Sequence, residues 1–121
     1  MMSDADFNSI TIQELEALGA EGRDRLSFGV IGFDRETIVD AYNSTESRLA
    51  GLDPSRVLGL PLFATVAQCM NNFMVAQRFE EEPELDATLP YVLTLRMRPT
   101  PVRMRLLATQ ETVRRYILIE R

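Results

Sequence analysis

Tyr91-Val92-Leu93-Thr94-Leu95-Arg96-Met97-Arg98-Pro99-Thr100-Pro101-Val102-Arg103-Met104-Arg105-Leu106 alternates on both sides of a proline-bounded turn. Tyr91, Leu93, Leu95 and Met97 fall on one face of an extended chain, with Val92, Thr94, Arg96 and Arg98 on the other. After Pro99-Thr100-Pro101, Val102, Met104 and Leu106 alternate with Arg103 and Arg105. Period two over two such runs predicts antiparallel strands with one face on a core. Tyr116 to Glu120 supplies a further strand that closes the sheet.

Working outward, Leu26-Ser27-Phe28-Gly29-Val30-Ile31-Gly32-Phe33 and Thr37 to Tyr42 flank Asp34-Arg35-Glu36 and predict a hairpin. Thr11-Ile12-Gln13-Glu14 has capping-box spacing, with Ile10 and Leu15 as its hydrophobic staple, and predicts a short N-terminal helix ending at Gly19. Asn43-Ser44-Thr45-Glu46 is a second capping box opening a helix that Gly51 ends, and Asp53-Pro54 starts a third short helix before Gly59. Phe73, Met74, Ala76 and Phe79 suit a helix that runs into Glu80-Glu81-Glu82 before Pro83. The sum is one α+β domain with a single antiparallel sheet of about five strands.

The chain has 121 residues with no histidine and one cysteine, and all thirteen of its Lys+Arg residues are arginine. Imidazole bases, Ser-His and Cys-His pairs, histidine-bearing zinc sites and lysine Schiff bases are thereby excluded. A lone cysteine closes no disulfide within the chain and forms no metal cluster. The N-terminus MMSDADF lacks a signal peptide's basic-then-apolar order, and the longest apolar stretch, Val57 to Ala67, is broken by Gly59 and Pro61. These features lead to the expectation of a cytoplasmic protein whose catalytic vocabulary is limited to carboxylates, Tyr, Ser/Thr and one thiol. A net charge of −5 disfavours binding to nucleic acid or an anionic membrane.

That net charge hides an asymmetry. Residues 1–40 carry nine acids against three arginines, whereas residues 87–121 carry seven arginines against two acids. The arginines of the last third, among them Arg96, Arg98, Arg103 and Arg105, alternate away from the core. Like charges opposite one another on neighbouring strands are destabilising, and an acidic neighbour would relieve them. We therefore expect residues 1–25 to form an acidic N-terminal cap over the arginine-bearing face of a domain spanning residues 26–121.

Three residues attract attention together: Tyr42, Glu46 and Cys69. Singly, each has an ordinary structural explanation. Tyr42 fits a core aromatic, Glu46 the third position of the Asn43 capping box, and Cys69 a small buried hydrophobe. From Leu26 to Cys69, however, the sequence resembles the photoactive yellow protein family of PAS-fold blue-light receptors without a gap. The resemblance rests on Leu26, Phe28-Gly29, Ile31, Asp34, Tyr42-Asn43, Glu46, Gly51, Asp53-Pro54, Val57, Gly59, Phe63, Val66-Ala67 and Cys69. Tyr91, Met97, Pro99 and Val102 extend it after a short deletion.

The resemblance implies a PAS fold. It implies that Cys69 carries p-coumaric acid (4-hydroxycinnamic acid) as a thioester, with Tyr42 and Glu46 hydrogen-bonding the phenolic oxygen. Ala50, Leu52, Phe63, Val66, Ala67, Leu93 and Leu95 are the residues expected to line the pocket. A phenolate in an apolar core needs strong donors, and a tyrosine hydroxyl with a protonated, buried glutamate supplies them. Light-driven isomerisation would draw the proton from Glu46, leave an unpaired buried anion and release the cap. The implied partners are the covalent chromophore and a downstream signalling protein, with a homodimer left open.

Departures from the family pattern accompany these matches. Ala50 stands where the family usually has threonine, Leu52 where it has arginine, Gln68 where it has proline, and Leu93 and Leu95 where it has aromatics. A member that has kept the fold as a chromophore-free regulatory or protein-interaction module is the competing expectation, which the changes at Ala50 and Leu52 favour. A thiol enzyme is disfavoured because Cys69 has no base to lower its pKa.

Overall fold

The computed structural model describes residues 6–94 and 98–121. Helix α1 (Ile12–Asp24) opens on the Thr11 capping box: Thr11 Oγ1 accepts from the Glu14 N–H at 3.1 Å, and Glu14 Oε1 accepts from the Thr11 N–H at 2.9 Å. At Gly19 the backbone swings to φ 67° and ψ 179°, which a residue without a Cβ adopts most easily. The expected stop at Gly19 is thus a kink, after which a further turn continues to Asp24.

Strands β1 (Gly29–Phe33) and β2 (Val39–Tyr42) form the expected hairpin, each shortened at its N-terminal end. Asp34 Oδ1 closes its turn by accepting from the Glu36 and Ile38 N–H groups at 2.9 and 3.0 Å, which sets Thr37 at φ 64°. Helix α2 (Ser44–Ala50) runs from the Asn43 cap to Gly51, whose left-handed φ of 75° ends it. A 3₁₀ turn at Pro54–Arg56, a π turn at Leu62–Val66 and a 3₁₀ turn at Gln68–Met70 lead to helix α3 (Ala76–Glu81). Strands β3 (Leu85–Leu93), β4 (Thr100–Ala108) and β5 (Arg115–Glu120) complete a five-stranded antiparallel sheet in the order β2-β1-β5-β4-β3.

Two further boundaries differ from the sequence expectation. β3 starts at Leu85 rather than Tyr91 and ends at Leu93, while Leu95, Arg96 and Met97 lie outside the described residues. Pro90 obscured the earlier start, but β3 is an edge strand, where a missing N–H need not break a ladder. α3 starts at Ala76 rather than Phe73 because the Asn72 side chain takes the Met74 and Val75 N–H groups, leaving Phe73 74% exposed.

β5 is the central strand, and its Tyr116, Ile117, Leu118 and Ile119 are all buried. Ile117 and Ile119 join Ile31, Phe33, Met104 and Leu106 in the main core under α2, α3 and the short turns. Tyr116 and Leu118 join Val30 and Leu107 on the other face, covered by Phe7, Ile10, Ile12 and Leu15. Residues from Phe7 to Leu15 therefore lie on the face that carries Arg103 and Arg105.

The electrostatics of that contact differ from the expected acidic screen. Arg105 is 5% exposed and donates to the Phe7 and Ile10 carbonyls at 3.0 and 2.7 Å, while its acid is Asp86 on β3. Arg103 donates to Asn8 at 2.7 Å, sits 5.2 Å from the centre of the Phe7 ring and pairs with Glu120 of β5. Arg114 reaches an acid of α1, Glu16, at 3.1 Å, and the Tyr116 hydroxyl donates to the same carboxylate. Strands supply most of the countercharge, through Glu120, Asp86 and Asp40, against Glu16 alone from α1.

Candidate functional site

Asn43 organises the ground beneath the site. Its Oδ1 accepts from the Val30 N–H at 2.9 Å and the Glu46 N–H at 3.0 Å, and its Nδ2 donates to the Arg23 and Phe28 carbonyls at 2.8 and 3.1 Å. Ser44 bonds Asp24 through its N–H and its hydroxyl, and the Thr45 hydroxyl donates to the Leu26 carbonyl at 2.6 Å. The first turn of α2 is in this way tied to the segment that leads out of α1.

Only half of the Asn43 capping box forms. The Asn43 N–H goes to the Val30 carbonyl, and the Glu46 carboxylate turns elsewhere. Glu46 is 1% exposed, and its Oε1 and Oε2 accept from Arg121 Nη1 and Nη2 at 2.8 and 3.2 Å. Gly29 makes room for it: a Cβ added there would meet Glu46 Oε1 at 2.0 Å. Burial pushes the Glu46 carboxyl above the usual carboxylate range, against the opposing hydrogen bonds and charge of Arg121.

Tyr42, at the end of β2, is 8% exposed, and its hydroxyl has no hydrogen-bond partner among the described residues. Burial, then the Glu46 charge, hold its phenol well above the ordinary range, with Arg121 opposing. It is therefore a neutral O–H donor at physiological pH. Cys69, a free thiol, is partly buried on the 3₁₀ turn that follows the π turn. Its carbonyl accepts from the Tyr91 hydroxyl at 2.6 Å and Asn72 Nδ2 at 3.2 Å, and Asn72 Nδ2 also lies 2.6 Å from the Tyr91 oxygen. Asn72 and Tyr91 thereby fix the backbone that presents the thiol.

Tyr42, Phe63, Ala67 and Leu93 belong to the main core, with Leu52, Val66 and Cys69 packed against it. Ala50 is buried but joins neither apolar cluster, and Leu95 lies outside the described residues. The structure thus brings Cys69 and Tyr42 onto one apolar body and sets Glu46 in the first turn of α2, close enough for its charge to act on Tyr42. The sequence reading did not include Arg121, although a signal was present. Arg121 follows Ile117 and Ile119 at period two, so it extends the core-facing side of β5, where an arginine needs a buried acid.

No protein-family model matches the chain, and no curated protein sequence matches it. Solved structures do. The PAS domain of an HTR-like protein from Haloarcula marismortui aligns with a TM-score of 0.63 at 19% identity, covering 90% of this chain and 94% of that one. The PAS domain of Bordetella pertussis BvgS gives 0.63 at 18%, covering 89% and 84%. The sheet order and the helical pieces packed on it are those of the PAS fold. The photoactive yellow protein domain of the sensor histidine kinase Ppr from Rhodospirillum centenum aligns with a TM-score of 0.82 at 31% identity, covering 90% of this chain and 98% of that domain. The chain belongs to the photoactive yellow protein family.

Proposed function

We propose that this domain is a photosensor with a p-coumaroyl group held as a thioester by Cys69. The observation that carries the reading is the shared apolar body of Cys69 and Tyr42, with the buried Glu46 carboxyl close enough for its charge to act on the Tyr42 phenol. The residues fit the group: a thiol at the edge of the core, apolar walls, and the Tyr42 phenol as a neutral donor. When bound, the group supplies a light-absorbing double bond whose isomerisation moves a phenolate. Tyr42 holds that oxygen by donating its proton into a hydrogen bond, and Glu46 is the proton source. Loss of the Glu46 proton adds charge next to the first turn of α2, whose Asn43, Ser44 and Thr45 hold residues 23–28. Strain there reaches the end of α1 and loosens the cap, which signals to a downstream protein. On this reading the domain is not an enzyme. Among the described residues no helix is long and apolar enough to cross a membrane.

The test is incubation of the purified protein with the anhydride of p-coumaric acid. The Cys69 thiol displaces one p-coumarate as leaving group and yields the thioester. A visible absorption band, absent in Cys69→Ala and shifted in Tyr42→Phe and Glu46→Gln, supports the photosensor. No adduct by mass spectrometry overturns it in favour of a chromophore-free interaction module.

A further inference from the structure

The Glu46–Arg121 pair is unusual for a proton-donating site. A protonated carboxyl can give its proton to a phenolate, but a carboxyl whose two oxygens both accept from a guanidinium is arranged for the ionised form. The pair is also sheltered: the Glu46 side chain is 1% exposed and that of Arg121 18%. Gly29 on β1 contributes no side chain to the space, so the carboxylate lies directly over the strand backbone. Among the described residues, the charged and titratable groups acting on Glu46 are Arg121 at the end of β5 and Tyr42 on β2. Neither Ala50 nor Leu52 has a side-chain hydrogen-bonding group, so neither can compete for it.

We propose that Arg121 is a positioning residue of this site: it holds the Glu46 carboxyl over β1 and is its charge partner whenever Glu46 is ionised. The inference rests on the photosensor reading for its consequence, though its geometry stands without it. In the resting state a protonated Glu46 keeps one oxygen on Arg121 and offers its O–H with the other. When the proton passes to the phenolate oxygen, the carboxylate left behind closes both hydrogen bonds to Arg121. The buried anion is therefore born paired, in contrast to the unpaired charge expected from the sequence. Arg121 favours proton release and stabilises the deprotonated state, and it supplies inside the pocket a cation that Leu52 does not.

The test is an infrared titration of the carboxyl stretch in protein labelled with ¹³C-glutamate and free of chromophore, with Glu46→Gln to assign the band. In Arg121→Gln the Glu46 midpoint rises by about 1–3 pH units, the usual effect of losing an opposite charge at this distance. In Arg121→Lys, which keeps the charge, most of that rise disappears. An unmoved midpoint in Arg121→Gln, or an Arg121→Lys midpoint equal to that of Arg121→Gln, overturns the proposal. Because the titration needs no chromophore, a failed p-coumaroyl adduct refutes the photosensor reading alone. Where the adduct forms, Arg121→Gln shortens the lifetime of the light-induced deprotonated state, and an unchanged lifetime also overturns the proposal.

Discussion

Substituting Gly29 by alanine tests the placement of Glu46 without touching an ionisable group. The new methyl carbon would lie 2.0 Å from Glu46 Oε1, 3.0 Å from its Cδ and 3.1 Å from its Cβ. Non-bonded carbon contacts settle near 3.5–4.0 Å, so the carboxylate must move by about 1.5 Å. Its hydrogen bonds to Arg121 are 2.8 and 3.2 Å long, and a shift of that size breaks at least one. Breaking a buried ion pair costs about 3–5 kcal/mol, reduced here because Arg121 can turn toward water and Glu46 can take up a proton. Replacing glycine within a strand returns about 0.5–1 kcal/mol. The net expectation is a loss of about 2–3 kcal/mol for Gly29→Ala. Urea denaturation of four proteins settles it: wild type, Gly29→Ala, Glu46→Ala and the double variant. Once Glu46 is truncated the clash loses its largest contributor, so Gly29→Ala should cost less than about 1 kcal/mol in that background, a coupling of about 2 kcal/mol. Equal costs in the two backgrounds would refute this account of how Glu46 is held.

Arg105→Met leaves the Phe7 and Ile10 carbonyls without their buried donor, so limited proteolysis within residues 6–25 should accelerate at least about tenfold, as expected for ~1.5–3 kcal/mol of lost charged hydrogen bonding; an unchanged cleavage rate counts against Arg105 as the clasp. Deleting residues 1–25 uncovers Phe28, Val30, Leu107, Tyr116 and Leu118 as well as arginines, so the truncated protein should bind a hydrophobic dye that the full chain does not, and equal dye fluorescence would contradict this packing. Thr37→Asn relieves a β-branched residue at φ 64° and should stabilise the fold by about 1 kcal/mol in urea, with no gain indicating that the turn is unstrained. Glu46, with its folded-state pKa raised, contributes stability that is fully present below its ordinary value of 4.5 and is lost as pH rises through the folded value. Wild-type stability relative to Glu46→Gln should accordingly fall with rising pH across that window, and parallel curves would show that the folded pKa is not raised.

The sheet was legible because alternation is a local property. Val102, Met104 and Leu106 did go to the main core, and Arg103 and Arg105 to the opposite face. Boundaries were harder to read where one residue changed sense with context. Pro90 looks like a break until β3 is known to be an edge, and Phe73 and Met74 look helical until the Asn72 side chain is seen holding them in the turn before α3. Of the candidate site, Tyr42, Glu46 and Cys69 were singled out in the sequence only by resemblance to a known family. Glu46 was also half misread, since the spacing from Asn43 suits a capping box and the Asn43 side of that box is made. The other side is lost to a guanidinium 75 positions away, and no spacing rule reports a partner that only the sheet order brings near. The charge asymmetry pointed correctly to the face covered by the N-terminal segment, yet Arg105 holds that segment through backbone carbonyls, which carry no sequence signature.

The route from pocket to cap follows from which groups share the first turn of α2. Glu46 is its third residue, and Asn43, Ser44 and Thr45 each bond the chain between Arg23 and Phe28. Arg23 in turn donates to the Leu15 carbonyl at 2.9 Å and lies against the Tyr116 ring, so it joins the two segments of the kinked α1 to the sheet. On the proposed mechanism a charge formed at Glu46 can act on the cap in two ways, by displacing this turn or by pulling on β5 through Arg121. The second route bears on the clasp directly. Glu120, adjacent to Arg121, is the acid paired with Arg103, whose other contacts are Asn8 and the Phe7 ring. Closing the Glu46–Arg121 pair would thus tug at the strand end that carries the countercharge of Arg103. The arginine that spares the pocket an unpaired anion also stands one residue from the contacts that hold the cap, so damping strain inside and transmitting it outward are properties of the same strand end.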